Sequence, residues 1–180
     1  MKLHYTAGCI CTSLTVDGKE TIDLSEKKMK EVVKKMVSYI WKPENDCIYY
    51  IVKYLVQTVG EFNSMMFGDV PCYNEITTNR YDCDKKNYLV CISVPTDEFL
   101  LVNKLVCDYA KVTRQDRWDN KKHCTKEFLK ASLEMIDKLD DFADLQWIFC
   151  QVMEAVGKSD EPYQCGCCGD WVYPYDLEID

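Results

Sequence analysis

The chain has 180 residues, of which 47% are hydrophobic and 29% are charged, so it is long and apolar enough to bury a core. This balance excludes a largely disordered protein, and no apolar run approaches the roughly 20 residues that a membrane-spanning helix needs. The formal net charge is −8. The last 49 residues carry 12 acidic side chains against only Lys138 and Lys158, so the negative charge is concentrated at the C-terminal end.

The first predicted element is a β-hairpin. Residues 3–16 are rich in Thr, Val, Ile and Leu, and they lead into Asp17-Gly18, a dipeptide that favours a type I′ turn before residues 19–24 return. Alternation along the first strand would place Cys9 and Cys11 on the same side, where they form a usable pair of metal ligands. The alternative is that both cysteines belong to a half-buried strand face.

Apolar residues at helical spacing predict about five helices. The first follows the N-cap Ser25, and its lysine face, within residues 27–35, is interpreted as a solvated surface rather than a phosphate contact. The other four are predicted within residues 43–60, 95–106, 125–139 and 142–156.

Two further segments lie between these helices. Residues 61–86 contain several turn-forming residues and predict a long loop or an irregular hairpin, which is a candidate contact surface. Residues 88–94 (YLVCISV) are apolar on both faces of a strand, as expected for a central strand of a sheet.

These elements predict one α+β domain over residues 1–160. Its small, mainly antiparallel sheet would combine the N-terminal hairpin with the strand at 88–94, covered by about five helices. Residues 161–180 are predicted to form a Cys-rich knuckle and an acidic C-terminal strand that pack on this domain.

The chain contains twelve cysteines, whose chemical state depends on whether the protein lies in a reducing or an oxidising compartment. The first residues contain no apolar block of signal-peptide length, so we predict a cytoplasmic protein, in which stable disulfides are rare. Four cysteines within apolar segments are interpreted as core packing: Cys47, Cys91, Cys107 and Cys150. A metal would draw its ligands from the others: Cys9, Cys11, Cys72, Cys83, Cys124, Cys165, Cys167 and Cys168.

The most specific spacing in the chain is the CxxCG turn formed by Cys165, Cys168 and Gly169. Thiolates at this spacing share a tight loop whose backbone amides can point at the sulfurs, and glycine permits the positive φ that closes it. Over residues 165–169 the turn resembles one half of a zinc-ribbon knuckle, and no second CxxC occurs in the chain.

The resemblance implies a tetrahedral structural zinc held by Cys165 and Cys168. We expect Cys9 and Cys11 to complete it, with His123 and Cys124 as the rival second pair. Cys167 would either replace a neighbour as a ligand or remain a free thiol. The alternatives to a metal site are free thiols or a disulfide.

Sequence motifs for catalysis are missing. The two histidines, His4 and His123, do not lie in an HExxH spacing, and the chain contains no GxGxxG, GxxxxGK[ST] or GxSxG. Asp140, Asp141 and Asp144 could present carboxylates to Mg²⁺, but they are interpreted as capping and solvating a helix start. We therefore predict that the protein is not an enzyme.

The acidic C-terminal quarter predicts a partner-binding surface, because aromatic rings lie among its carboxylates. The carboxylates could attract a charged partner and the rings could bind it. Its predicted members are Asp140, Asp141, Asp144, Asp170, Trp171, Tyr173, Tyr175, Asp176 and Glu178. The opposing interpretations are charge kept for solubility alone and, for Trp171, a ring packed on the domain.

We predict a non-enzymatic binding or inhibitory protein whose acids engage a basic, nucleic-acid-handling partner by imitating a phosphate backbone. In size, acidity and lack of motifs it resembles antagonists that phages and mobile elements encode against host defence nucleases.

The alternative is a zinc-stabilised nucleic-acid-binding module that uses residues 111–130, where basic groups lie beside a stacking ring. Its predicted contacts are Lys111, Arg114, Arg117, Trp118, Lys121 and Lys122. Three acids dilute the positive charge of this segment, which favours a protein partner over direct nucleic-acid binding: Asp116, Asp119 and Glu127.

Overall fold

The computed structural model describes residues 1–55, 58 and 118–180. The predicted loop at 61–86, strand at 88–94 and helix at 95–106 lie outside these residues, as do Lys111, Arg114 and Arg117. The chain divides into two compact units. One combines Met1–Ile40 with Asp141–Asp180, and the other is Trp41–Asp140.

The first unit contains an antiparallel sheet whose strands come from both ends of the chain. The strand order is β3-β2-β1-β6-β4, and β5 also pairs with β6. The strands are β1 (Lys2–Ala7), β2 (Leu14–Val16), β3 (Lys19–Glu20), β4 (Lys158–Ser159), β5 (Tyr163–Gln164) and β6 (Trp171–Glu178).

Five α-helices lie within the described residues, so the α+β class with a small antiparallel sheet is confirmed. They are α1 (Glu26–Ile40), α2 (residues 47–55), α3 (Asn120–His123), α4 (Lys126–Asp137) and α5 (Phe142–Val156). None of the helices in this part of the chain combines the length and the apolar composition that crossing a membrane requires.

Helices α1 and α5 pack on each other, and α5 also packs on β1 and β6. The predicted apolar stripe of each helix is buried, and Ser25 caps α1 by accepting a hydrogen bond from the Lys28 amide at 3.2 Å. Tyr5 of β1 donates its hydroxyl to Glu154 of α5 at 3.0 Å. Burial raises the pKa of Tyr5, which keeps the hydroxyl protonated as the donor.

The N-terminal hairpin is confirmed at its turn and wrong in its strand length. Asp17 and Gly18 both have positive φ, 50° and 79°, as the type I′ turn requires. The strand predicted over residues 3–16 instead ends at Ala7, because Gly8 adopts a φ of 100°. Cys9 and Cys11 therefore lie in a loop, residues 8–13, and not on a strand face.

Strand β6 joins the C-terminal end of the chain to its N-terminal end. The strand predicted at 171–175 is confirmed and continues to Glu178. It lies between β1 and β4 in the sheet, with Leu3 opposite Leu177 and Ala7 opposite Tyr173. The division predicted at residue 160 stays a prediction.

The second unit contains α2, α3 and α4. The helix predicted at 125–139 is confirmed as α4, whose N-cap Thr125 accepts a hydrogen bond from the Phe128 amide at 3.3 Å. The start predicted for α2 at Pro43 is wrong, since residues 42–45 form a turn in which the Asn45 amide donates to the Lys42 carbonyl at 3.0 Å. Its end at Gly60 lies outside the described residues.

Candidate metal centre

The β1–β6 register brings two cysteine-bearing loops to one end of the sheet. Because the strands are antiparallel and Ala7 pairs with Tyr173, the loop that follows β1 lies beside the loop that precedes β6. The first loop is residues 8–13, and the second connects β5 to β6 over residues 165–170.

Four thiols converge where these loops meet. The sulfur atoms of Cys9, Cys11, Cys165 and Cys168 all lie within 4.8 Å of one another. Among residues 1–55, 58 and 118–180, no other group of three or more His, Cys, Asp or Glu side chains has such a spacing. The eight cysteines of these ranges are all free thiols. The four clustered cysteines are close enough to hold a metal ion.

The CxxC loop is shaped by its own backbone. The Cys165 amide donates to the Asp170 carbonyl at 2.8 Å, and the Gly169 amide donates to the Cys165 carbonyl at 2.9 Å. Gly169 has a φ of 76°, the conformation for which glycine was expected. Hydrogen bonds from the backbone amides of Cys168 and Cys167 lower the pKa of Cys165 to about 6. Hydrogen bonds of the loop itself thus stabilise a thiolate at Cys165, without the help of a cation.

Cys168, the second cysteine of this loop that belongs to the cluster, keeps its proton. The backbone amide of Asp170 favours the Cys168 thiolate, but desolvation and the neighbouring Cys165 side chain outweigh it and raise the pKa of Cys168 to about 11. Cys167, whose role the spacing left open, is exposed and does not belong to the cluster.

The CxC loop has few restraints of its own. The Cys11 amide donates to the Cys9 sulfur at 3.3 Å, and the Thr12 hydroxyl donates to the Cys9 carbonyl at 2.8 Å. A hydrogen bond with Cys165 raises the pKa of Cys11 to about 12. Gly8 begins the loop at the sheet, where any side chain would collide with the Trp171 carbonyl. Contact with β6 therefore sets the position of this loop.

The rival pair lies elsewhere. His123 and Cys124 belong to the unit Trp41–Asp140 and are not members of the cluster. The His123 ring stacks on Trp118 with centroids 4.9 Å apart, and its Nδ1 lies 2.9 Å from the Asp119 carbonyl oxygen and 3.1 Å from the Asp119 amide nitrogen. Burial raises the pKa of Cys124. Both residues thus pack within their own unit.

The predicted partner surface is exposed near the cysteine loops. Trp171 is 54% exposed and Tyr173 44%, so both rings are accessible to a partner. Asp170, Asp176 and Glu178 are also exposed. Tyr175 is half-buried and stacks on Tyr5, with centroids 5.8 Å apart.

Two of the predicted acids have structural partners. Asp176 pairs with His4 across the β1–β6 ladder at 2.9 Å. Asp141 accepts a hydrogen bond from the Ala143 amide at 2.8 Å and caps α5, as its position before an apolar stripe indicated. Asp140 is exposed and Asp144 is half-buried.

Two exposed apolar residues near the cluster were missed. Ile10, the residue between Cys9 and Cys11, is 88% exposed, and Tyr163 of β5 is exposed beside the CxxC loop. The available signal was the position of Ile10 between two candidate ligands, because side chains that turn toward a shared site leave the one between them on the other side of the chain.

The basic segment is only partly described. Trp118 is half-buried, while Lys121 and Lys122 are exposed on α3. Binding of nucleic acid by residues 111–130 stays a prediction.

Comparison of the chain with protein-family models, with curated proteins and with solved structures found no match. A function must therefore be inferred from the residues and their geometry.

Proposed function

We propose that the chain is a non-enzymatic protein-binding module whose binding surface is held in place by a structural zinc ion. The observation that carries this is the convergence of four cysteine sulfurs within 4.8 Å. A tetrahedral zinc with Zn–S bonds of about 2.3 Å places its sulfurs ~3.8 Å apart, so a contraction of about 1 Å or less completes the site. Four protein ligands leave no open position for a substrate, which favours a structural role.

The zinc would connect the two ends of the chain. Cys9 and Cys11 follow the first strand, whereas Cys165 and Cys168 precede the last. A metal that bridges such distant segments restricts the unfolded chain and adds its binding free energy to folding. The two loops would then be rigid supports for the side chains they expose.

Those exposed side chains form what we call the loop surface: Ile10, Tyr163, Trp171 and Tyr173, with the acids Asp160, Glu161 and Asp170. Aromatic residues bury a large area at a small entropic cost and often dominate binding energy. Exposed rings beside carboxylates suit a basic partner, because lysine and arginine side chains are attracted both to ring faces and to negative charge.

The partner we propose is a protein with a basic surface, such as a nucleic-acid-handling protein whose phosphate-binding groups the acids would occupy. Inhibition follows directly if the occupied surface is the one that contacts nucleic acid. The support for this is the excess of 12 acidic over two basic residues in the last 49, together with the exposure of Trp171 and Tyr173.

The test measures how much of a partner protein each variant captures from a cell lysate at low and at high salt. We expect the double variant Trp171→Ser and Tyr173→Ser to lose the captured protein, while Ile22→Ser, which removes an exposed apolar side chain far from the cysteines in sequence, keeps it. Changing Asp160, Glu161 and Asp170 to Asn or Gln should weaken capture most at low salt. Equal capture by all variants would refute the proposal.

Direct binding of DNA or RNA, with the steep salt dependence of phosphate contacts, would instead favour the nucleic-acid-binding alternative.

A further inference from the structure

A concave site lies within the unit Trp41–Asp140, apart from the cysteine cluster. It is a cavity of about 450 Å³ between the start of α2 and residues 118–121. In the part of the chain that the structure describes, three aromatic side chains line it: Tyr49, Tyr50 and Trp118. We call these three rings and their cavity the aromatic cage.

The rings are steeply inclined to one another, so their faces point in different directions. The planes of Tyr49 and Tyr50 meet at 72°, with centroids 5.1 Å apart, and those of Tyr49 and Trp118 at 58°, with centroids 6.0 Å apart. Tyr49 is buried, whereas Tyr50 is 51% exposed and stands at the entrance. A group that enters the cavity would contact mainly the rings of Tyr50 and Trp118, with Tyr49 packed behind them.

Hydrogen bonds within the unit hold the walls of the cage together. The Trp118 indole N–H donates to the Asn120 side-chain oxygen, and the Asn120 amide nitrogen donates to the Pro43 carbonyl at 2.9 Å. Asn120 therefore joins the Trp118 wall to the turn that precedes α2. The Trp118 ring is supported further by stacking on His123. Such preorganisation lowers the entropic cost of binding.

The polar lining is negative overall. Among the described residues that border the cavity, Asp46 and Asp119 carry negative charge and Lys121 carries positive charge. Both carboxylates already accept hydrogen bonds, Asp119 from the Lys121 amide at 3.0 Å and Asp46 from the Asn120 side chain at 3.4 Å. These bonds hold both carboxylates beside the cavity, where they supply negative potential to a guest.

We propose that the aromatic cage binds a methylated ammonium group, of the kind that a trimethyllysine side chain or choline carries. Such a cation has no N–H to satisfy, and it is attracted to aromatic faces and to nearby negative charge. An unmodified ammonium is hydrated through three N–H donors, so it loses more hydration free energy than a methylated one when it leaves water for a site lined by aromatic rings.

This proposal is independent of the zinc-supported loop surface, because every residue of the cage lies in the other unit. A negative result for the aromatic cage therefore does not count against the loop surface, and the reverse also holds.

Calorimetric titration of the full chain tests the cage with four probes. These are choline chloride, a short peptide containing one trimethyllysine, the same peptide with unmodified lysine, and the same peptide with the uncharged tert-butyl analogue of trimethyllysine. We expect saturable binding of a methylated ammonium probe, and binding at least about tenfold weaker for the last two peptides. Tight binding of choline would indicate a small-molecule ligand, and selective binding of the trimethyllysine peptide a modified protein.

Two variants locate the binding. Tyr50→Ala, at an exposed ring of the cage, should weaken binding by about tenfold or more without lowering the unfolding temperature, whereas Tyr39→Ala, at an exposed ring of α1 in the other unit, should bind as the parent does. If Tyr50→Ala does not fold, Asp46→Asn should weaken binding through the loss of charge alone. The proposal is overturned if no probe binds saturably at millimolar concentration, if the tert-butyl peptide binds equally well, or if the cage variants bind unchanged.

Discussion

The two cysteine loops reach the same cluster by different physical means. The CxxC loop is organised locally: its amides lower the pKa of Cys165 to about 6, and Gly169 closes the turn. The CxC loop is organised by tertiary contact, since Gly8 passes against the Trp171 backbone and the pKa of Cys11 is raised to about 12 by Cys165 in the other loop.

This difference shows that five consecutive residues can position one cysteine pair of the cluster, whereas the position of the second pair depends on the pairing of strands from opposite ends of the chain. The predictions below separate these two contributions, from the largest expected effect to the smallest.

Removal of a cysteine from the locally organised loop should have the largest effect. We expect Cys165→Ser to lose the bound metal and to lower the midpoint of thermal unfolding by roughly 10 °C or more, because structural zinc contributes directly to folding. The matched control is Cys167→Ser, which changes an exposed cysteine of the same loop outside the cluster. Metal analysis and thermal unfolding of both variants check this, and equal behaviour would contradict it.

Gly8→Ala should break the tertiary positioning of the CxC loop. It adds a side chain that meets the Trp171 carbonyl and must also hold a φ of 100°, so we expect a loss of about 2–3 kcal/mol in the free energy of unfolding.

Gly18→Ala is the control for Gly8→Ala, since it has a similar positive φ of 79° with nothing within 4 Å of the added atom. It should cost only the backbone strain of about 1 kcal/mol. Denaturant unfolding measures both, and equal losses would show that contact with β6 does not position the loop.

Metal binding should release protons from both loops. At pH 7 Cys11 and Cys168 are protonated, with pKa values of about 12 and 11, and zinc requires their thiolates. We expect at least about two protons to be released per zinc at pH 7, and zinc affinity to fall as the pH is lowered. Calorimetry in two buffers with different ionisation enthalpies counts these protons, and a release of one or none would contradict the assigned ligands.

Without metal, the same thiols affect stability with opposite signs. The pKa of Cys165 falls from 9.0 to about 6 on folding, so its thiolate favours the folded state above pH 9, and this contribution is lost as the pH falls through 6. The pKa values of Cys11 and Cys168 rise from 9.0, so their thiols favour the folded state below pH 9, and that contribution is lost as the pH rises through 11 to 12.

His4→Ala should have the smallest effect. Its pair with Asp176 connects β1 to β6, but the two side chains are 38% and 53% exposed, and such exposed pairs contribute little in water. We expect a change below about 0.5 kcal/mol in the free energy of unfolding and unchanged metal content. A loss above about 1 kcal/mol would mean that this side-chain pair, and not the backbone ladder alone, sets the register.

The parts of the structure that depend on local patterns were predictable. The stripes of α1 and α5, the Asp17-Gly18 turn and the CxxC loop each occupy a few consecutive residues, where periodicity, capping and glycine act directly. The pairing of Ala7 with Tyr173 was not predictable, since hydrogen bonds between distant strands leave no local pattern.

The prediction that Cys9 and Cys11 lie near Cys165 and Cys168 agrees with their placement, although it assumed a strand where Gly8 begins a loop. The aromatic cage gave no sequence signal, because Tyr49 and Tyr50 follow a helical pattern and Trp118 comes from far along the chain.

The central claim is tested most directly by the metal content of protein purified under reducing conditions without added zinc. We expect about one zinc per chain, and after cobalt exchange the absorption spectrum of a tetrahedral tetrathiolate site. Less than about half an equivalent of zinc, or a disulfide between Cys165 and Cys168 in the freshly purified protein, would contradict a structural zinc site.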